Sequence, residues 1–554
     1  MKLVQPKKIV AFIAILLLIA LKAHPQTVTP WITTGDRSKL LQAQATVSFG
    51  PNIIQSNAVI TLDPSSTLQT MDGFGYCMTE GSAEVITTLN SYSQSLLLNE
   101  LFNKSTGLGI SALRISIGAS DLSSSDYSYD EVSGDVNMAN FSLAGPDLTY
   151  LIPILKKVLI INPDIKILAT PWSAPQWMKS NTSWKGGNLN GTAYQAYANY
   201  FVHYIKAMKD QGINIWAITP QNEPEYGGND PSMTMTASEE TNFINNNLGP
   251  ALANGGFSTV KIIAYDHNCD DTTYPIFVCN NSTYVDGAAF HLYGGNISAL
   301  TTVKNATNKN VYFTEQYTNT NDNFSSDFGW HLQNIIIGAA NNWAKAILEW
   351  NIASNAALGP HTPGGCSTCL GAVTINSSST YSRNLSYYII GQISKFVLSG
   401  AVRIKSTSTS SSLLATAYKN PDGSFAVVTY NSNSSSQLIK IVWNSQTFVY
   451  TVPASSAATF VWNPAASGIS DIPGDQIRLS PNPGHSYVKL VLPKNGFTVK
   501  SVSFITLDGK VALNQSVSTV TSDNNINVST LPNGIYIIRL EGLNEHLYGR
   551  FIKQ

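Results

Sequence analysis

Between about residues 69 and 398, short apolar runs of strand character alternate with helix-like stretches. The runs end near Tyr76, Ser116, Thr170, Gln221, Tyr265, His291, Thr314 and Trp350. Helical stretches such as Tyr194 to Lys209 and Ser238 to Asn247 fall between many of them. Eight strands with intervening helices predict an α/β fold, a closed (β/α)8 barrel. An open doubly wound sheet is the alternative, but no GxGxxG follows a strand and no phosphate-binding loop is present to support it. A parallel barrel displays its chemistry at the C-terminal ends of its strands. Two glutamates end such runs: Glu223 in Ile218-Thr219-Pro220-Gln221-Asn222-Glu223-Pro224, and Glu315 in Val311-Tyr312-Phe313-Thr314-Glu315. Paired carboxylates in unlike settings are what cleavage of a glycosidic bond requires.

The flanks differ from the barrel. Residues 27–68 hold short β-like runs, such as Ala58 to Leu62, and residues 399–464 are β-rich without helices. Asn420-Pro421-Asp422-Gly423 reads as a turn between Leu413 to Tyr418 and Phe425 to Tyr430. The two flanks together predict a side β-sandwich. Residues 465–476, rich in Gly, Ser, Pro and Asp, read as a linker, and 477–554 as a small all-β module.

At the N-terminus, Lys2, Lys7 and Lys8 precede an apolar run of 13 residues, Ile9 to Leu21. That is short of the roughly 20 residues a spanning helix needs, so residues 1–26 read as a signal peptide rather than a stable membrane span. A net charge of −1 gives no electrostatic reason to expect nucleic acid or an anionic membrane as partner. Charged residues make up 12% of the chain, about half the usual share of roughly 25%. Ser, Thr, Asn and Tyr take their place, which suits a secreted protein handling neutral, hydroxyl-rich ligands. The five cysteines include Cys366-Ser367-Thr368-Cys369, with no second CxxC or nearby His pair to complete a zinc site. A local disulfide or two quiet thiols is the expectation there. Cys269 and Cys279 are another candidate pair, and no metal or cofactor is expected.

Six segments in order carry a resemblance. They are Met71-Asp72-Gly73-Phe74-Gly75, Leu113-Arg114-Ile115-Ser116-Ile117-Gly118, Thr170-Pro171-Trp172-Ser173-Ala174-Pro175, Leu348-Glu349-Trp350-Asn351 and the two glutamate segments. Together they resemble glycoside hydrolase family 30, which includes glucosylceramidases, β-glucosidases and β-1,6-glucanases. Tyr265-Asp266-His267-Asn268-Cys269, the stretch from Ala289 to Gly295 and the stretch from His361 to Cys366 look more like the β-1,6-glucanase branch. The resemblance implies a TIM barrel with a side β-sandwich, and a β-glucan or other β-glucoside as substrate. Glucosylceramide hydrolysis, a broad β-glucosidase or β-xylosidase activity, and a non-catalytic glycan-binding surface protein are the alternatives.

Roles follow from the resemblance residue by residue. Glu223, after the fourth strand, matches the acid/base, and Glu315, after the seventh, the nucleophile of a retaining double displacement. The carboxyl groups are then expected roughly 5–5.5 Å apart. Burial and the charge of Glu315 are expected to raise the Glu223 pKa. Asn222 matches the residue on the sugar 2-hydroxyl, Arg114 the arginine that keeps the nucleophile ionised, and Asp121, Trp172 and Trp350 residues that hold the terminal glucose. His291 and Tyr293 match a rim pair on the sixth strand, with Tyr293 orienting Glu315. Glu349 is expected as a secondary rim residue. Tyr76, Cys77, Glu225, Tyr226 and the loop Gly227-Gly228-Asn229-Asp230 depart from the family pattern and are expected on the leaving-group side.

The tail resembles a second family. Ser480-Pro481-Asn482-Pro483, Leu507-Asp508-Gly509-Lys510 and Leu531-Pro532-Asn533-Gly534-Ile535-Tyr536 look like the C-terminal sorting domain of the Bacteroidetes type IX secretion system. This implies that machinery as a partner, and export from a Gram-negative cell to its surface or medium.

Overall fold

The computed structural model describes residues 26–51, 55–56, 58–464, 478–491, 500–506, 510–516, 525–541 and 546–554. The expected signal peptide, but for its last residue, the expected linker and Leu507-Asp508-Gly509 lie outside them. Eight parallel strands close into a barrel in chain order: β1 Gly73–Cys77, β2 Ala112–Ser116, β3 Lys166–Thr170, β4 Ala217–Ile218, β5 Lys261–Cys269, β6 Val285–Gly295, β7 Asn310–Glu315 and β8 Ala344–Asn351. β8 pairs back onto β1, with Ile347 opposite Phe74. β4 stops at Ile218, before Gln221, because Pro220 has no N–H to give a ladder. Gly75 allows β2 to approach: a Cβ there would lie 1.9 Å from the Ala112 carbonyl oxygen.

The helices form where caps and apolar spacing dictate. Glu80–Thr87 starts at Thr79, whose hydroxyl accepts from the Ser82 N–H at 3.0 Å. Tyr194–Asp210 buries Tyr197, Tyr200, Phe201 and Tyr204 on one face, at the three- and four-residue spacing of a helix stripe. Ala237–Phe243 opens on a capping box of Thr236 and Glu239 and continues as a π-helical turn, Ile244–Leu248.

The barrel lumen is layered. Leu168, Ala217, Ile263, Ala289, Tyr312 and Ala346 pack as an apolar floor. Further along the same strands, Thr170, Asp266, His291 and Thr314 form a buried polar storey. Alternation along β8 sends Trp350 to the lumen mouth and Glu349 the other way. Glu349 is therefore not a rim residue: it is buried 2.8 Å from His331 Nδ1 of the helix Phe324–His331. Tyr76 likewise faces outward, its hydroxyl donating to the Ser386 carbonyl at 2.8 Å, while Cys77 packs beneath Trp172 and Trp350. Cys366 and Cys369 form a disulfide, but Cys269 and Cys279 do not pair. Each of those two is buried in apolar packing, one at the end of β5 and one on the helix Thr273–Asn281.

Both flanks share a ten-stranded sheet curled around its own core. Thr27–Thr34 runs antiparallel to Ser456–Trp462, and Ala58–Thr70 lies between Val402–Ser408 and Gln437–Trp443. The Asn420 to Gly423 turn joins Leu413–Lys419 to Phe425–Asn431, Gly423 supplying a left-handed residue at φ 84°. Phe49, Phe425, Trp443 and Trp462 interlock inside, with Phe425 stacked on Trp462 at 5.4 Å. Burial of roughly 150–250 Å² for each such ring is worth about 4–6 kcal/mol before entropy is counted. Thr459 ties the sheet to the barrel side by donating to the Gln392 carbonyl at 2.7 Å.

Among the described residues, the C-terminal unit has two antiparallel sheets. Arg478–Ser480, Tyr487–Val491 and Asn525–Asn527 form one; Ser501–Thr506, Val511–Ser516, Gly534–Glu541 and His546–Lys553 form the other. Val488, Phe504, Ile538 and Phe551 are among the side chains of its core.

Candidate active site

Arg114 on β2 is fully buried and holds three groups together. Its Nη1 donates to Glu315 Oε2 at 2.6 Å, and its Nη2 to Asn222 Oδ1 at 2.6 Å and Asp266 Oδ2 at 2.8 Å. The guanidinium also lies over the Trp172 ring, 4.7 Å from its centroid. Glu315 closes β7, and its other oxygen, Oε1, accepts from the Tyr293 hydroxyl at 2.9 Å. A carboxylate held between a fixed cation and a phenol is oriented as an anion.

Asp266 is the hub beneath. Besides Arg114, it accepts from Thr219 Oγ1 at 2.8 Å and Thr314 Oγ1 at 2.7 Å, and its Oδ1 faces His291 Nε2 at 3.2 Å. Burial opposes ionisation, but Arg114 and His291 outweigh it, and the carboxyl is held far below its ordinary range. Tyr265 and Asp266 both take left-handed backbone conformations, at φ 75° and 56°. There β5 and β6 lose register, so Asp266 is an inserted bulge residue turned toward the lumen. Glu223 is also left-handed, at φ 48°, and its N–H donates to the Asp266 carbonyl at 3.0 Å. Three strained residues joined at one point mark a place where geometry takes precedence over backbone comfort.

Glu223 stands opposite Glu315, and both are 6% exposed. Its Oε1 lies 3.1 Å from His291 Nδ1 and 3.9 Å from His267 Nδ1, and its Oε2 accepts from Asn229 Nδ2 at 3.0 Å. One ligand-type atom each of Glu223, His291 and Glu315 lies within 4.8 Å of the others. Those three could hold a metal by spacing, yet Arg114 already places a cation against Glu315, which opposes a second one.

Protonation follows from the partners. Asp266, ionised, can only accept, so the His291 Nε2 carries hydrogen and Nδ1 faces Glu223 Oε1. Burial pushes the imidazole down, but the charge of Glu315 and the bonds to Asp266 and Glu223 lift it to about 9. The expected rise at Glu223 is therefore not found. Burial pushes that carboxyl up, but the His291 hydrogen bond and charge pull it below its ordinary value. Glu315 moves the other way: burial raises it, partly countered by His291 and Arg114. The cluster titrates as one system, with the exchangeable proton between His291 and Glu223.

Trp172 and Trp350 meet at 5.4 Å between ring centroids beside this network, in one cluster with Leu122, Cys77, Tyr317 and the disulfide. Asp121 is buried, and its Oδ1 has no protein partner. Burial first, then the charges of Glu315 and Glu223, raise it to about 7. An unpartnered acceptor, next in sequence to the Leu122 that packs with Trp172 and Trp350, is suited to a sugar hydroxyl. Glu225 is exposed and engages the Tyr265 hydroxyl at 3.2 Å, away from the pair. Glu80 is buried at the start of its helix. The nine site residues read from the sequence thus meet at one mouth of the barrel. Asp266 and His267, read from the sequence only as marks of a branch, join them, as does Asn229, whose loop was expected on the leaving-group side. An acid at the end of the apolar run Ile262 to Tyr265 was the available signal for Asp266.

Residues 71–397 match the glycosyl hydrolase family 30 TIM-barrel domain, 400–460 the family 30 β-sandwich domain and 478–554 a secretion system C-terminal sorting domain. The chain is 35% identical over 441 residues to an endo-1,6-β-D-glucanase of Aspergillus fumigatus, covering 74% of this chain and 88% of that protein. It is 28% identical over 464 residues to the lysosomal acid glucosylceramidase of Mus musculus, covering 78% and 90%. The solved structure of an endo-β1,6-glucanase superposes with a TM-score of 0.75 at 36% identity, covering 79% of this chain and 99% of that one. With a matching barrel, a matching sandwich and these relatives, the chain belongs to glycoside hydrolase family 30 and is a glycosidase carrying a C-terminal sorting domain.

Proposed function

We propose that this hydrolase is an exported endo-β-1,6-glucanase that retains anomeric configuration, with Glu315 as nucleophile and Glu223 as acid/base. The observation that carries the reading is the unlike setting of the two carboxyls. Arg114 and Tyr293 both donate to Glu315, while Glu223 faces the His291 imidazole. An oxygen of each lies within 4.8 Å of one of the other, a close approach that suits the roughly 5–5.5 Å between the carboxyl groups of a retaining enzyme. Ionised Glu315 attacks the anomeric carbon, and the proton between His291 and Glu223 passes to the leaving oxygen. Glu223, now a carboxylate, accepts a proton from water, which releases the sugar with the original configuration. Asn222, Asp121, Trp172 and Trp350 bind the sugar ring.

The β-1,6 linkage rests on likeness to enzymes of that name at 33–35% identity over most of the chain. Digestion of pustulan followed by anomeric NMR tests both linkage and mechanism. Oligosaccharides with the β-anomer appearing first are expected. Release of glucose from glucosylceramide with no products from pustulan overturns the substrate, and binding of glucan with no hydrolysis of any β-glucoside overturns the enzyme mechanism. For export, we take the tail to engage type IX secretion machinery of a Bacteroidetes-like cell. Among the described residues no helix is long and apolar enough to cross a membrane. Deleting residues 478–554 should leave active enzyme inside the outer membrane, and unchanged export would refute this route.

A further inference from the structure

We propose that Asn229 is a positioning residue for proton transfer: its side-chain amide holds Glu223 Oε2 as a pure acceptor and confines the mobile proton to Oε1. The inference rests on the reading of Glu223 as acid/base. Asn229 lies in the loop Gly227-Gly228-Asn229-Asp230 after β4. The two oxygens of Glu223 have unlike partners. Oε1 meets His291 Nδ1 at 3.1 Å, an atom able to give or take a proton; Oε2 receives only the amide N–H of Asn229 at 3.0 Å. An amide donor favours the carboxylate over the acid. Its bond therefore strengthens as Glu223 loses its proton to the leaving oxygen, which is stabilisation realised in the transition state.

The loop is held to deliver that bond. Ser232 Oγ donates to the Asn229 carbonyl at 2.6 Å and accepts from the Gly186 N–H at 2.9 Å, and the Ser232 N–H donates to the Trp184 carbonyl at 3.0 Å. Behind them, the Lys179 ammonium, 1% exposed, spends its three hydrogens on Ser173 Oγ at 2.8 Å, the Trp184 carbonyl at 2.8 Å and the Ser232 carbonyl at 2.7 Å. Burying an ammonium among neutral acceptors is costly, and burial pushes this one down to about 7. What it secures is the relative placement of the loops after β3 and β4. Thr362 donates to the Asp230 carbonyl and ties the same loop to the segment after β8.

The test compares Asn229→Ala and Asn229→Asp with wild type in the full chain, on pustulan and on 2,4-dinitrophenyl β-glucoside, whose phenolate leaves without a proton. For Asn229→Ala, kcat/KM on pustulan should fall about 10–100-fold, with the activated glucoside within about 2-fold. The alkaline limb should move upward, because removing the donor raises proton affinity. Asn229→Asp has the same shape but no donor and an added negative charge, so it should move the limb further. The other groups facing Glu223 are Arg114, Asp121, Asp266, His267, His291, Tyr293 and Glu315, and all are unchanged in both variants. Equal loss on the two substrates with an unmoved pH profile overturns the inference and leaves the loop a structural role. If Glu223→Gln hydrolyses pustulan as fast as wild type, it is the acid/base reading that fails instead.

Discussion

His291 touches Glu223 Oε1 through Nδ1 at 3.1 Å and Asp266 through Nε2 at 3.2 Å, wholly out of solvent. One imidazole thus joins the Asp266 carboxylate to the Glu223 carboxyl. On the proposed mechanism the acid function belongs to this pair rather than to Glu223 alone.

Stability should report that sharing. The folded imidazole, at about 9, lies above its ordinary 6.5. A raised base contributes stability that is full below about 6.5 and is lost as pH rises through about 9. Melting temperature followed from pH 6 to 10 should therefore fall more steeply for wild type than for His291→Gln. Parallel curves would place the proton elsewhere.

The two glutamates should separate by substrate. Glu315→Gln should remove turnover of pustulan and of activated aryl glucosides alike, by at least about 10⁴-fold. Glu223→Gln should cost about 10²–10⁴-fold on pustulan while still forming the glycosyl-enzyme from a dinitrophenyl glucoside. A burst of dinitrophenol measures that step, and its absence in Glu223→Gln would reverse the assignment.

Arg114 is the buried counter-charge of Asp266 and Glu315, at 2.8 and 2.6 Å. Arg114→Met strands two buried carboxyls and should cost about 3–5 kcal/mol of unfolding free energy. Arg114→Lys offers a single point charge for three acceptors and should recover only part of that. Urea midpoints check both; full recovery by lysine would mean that charge matters there and the guanidinium fork does not.

Asp121 should show stability exchanged for binding. Its folded carboxyl, raised from 3.8 to about 7 by burial, makes the fold lose stability as pH climbs between those values. Asp121→Asn should therefore melt higher than wild type at pH 8 while kcat/KM falls about 10–100-fold. A lower melting temperature would show that the carboxylate is structurally required.

Eight apolar runs with helices between them were enough to read the barrel, because hydrophobic periodicity is local and survives in one dimension. Glu223 and Glu315 were legible for a related reason: the end of a parallel strand is a fixed place in such a barrel. Glu349 was misread because its neighbour Trp350 faces the lumen and alternation reverses at each residue. Cys269 and Cys279 were offered as a pair, but a short separation says nothing of where each thiol is buried.

Thus the sequence by itself determined the alternation of elements, the two acids at strand ends and the turn that folds the sandwich. The tertiary structure alone decided who shares the proton. Asp266 enters the lumen through a bulge between β5 and β6, His291 bridges it to Glu223, and Asn229 arrives on a loop held by Lys179. These contacts join residues 25 to 68 positions apart, or loops whose path depends on a buried ammonium. No local pattern encodes them, because their energy arises from burial and charge at short range in the folded barrel.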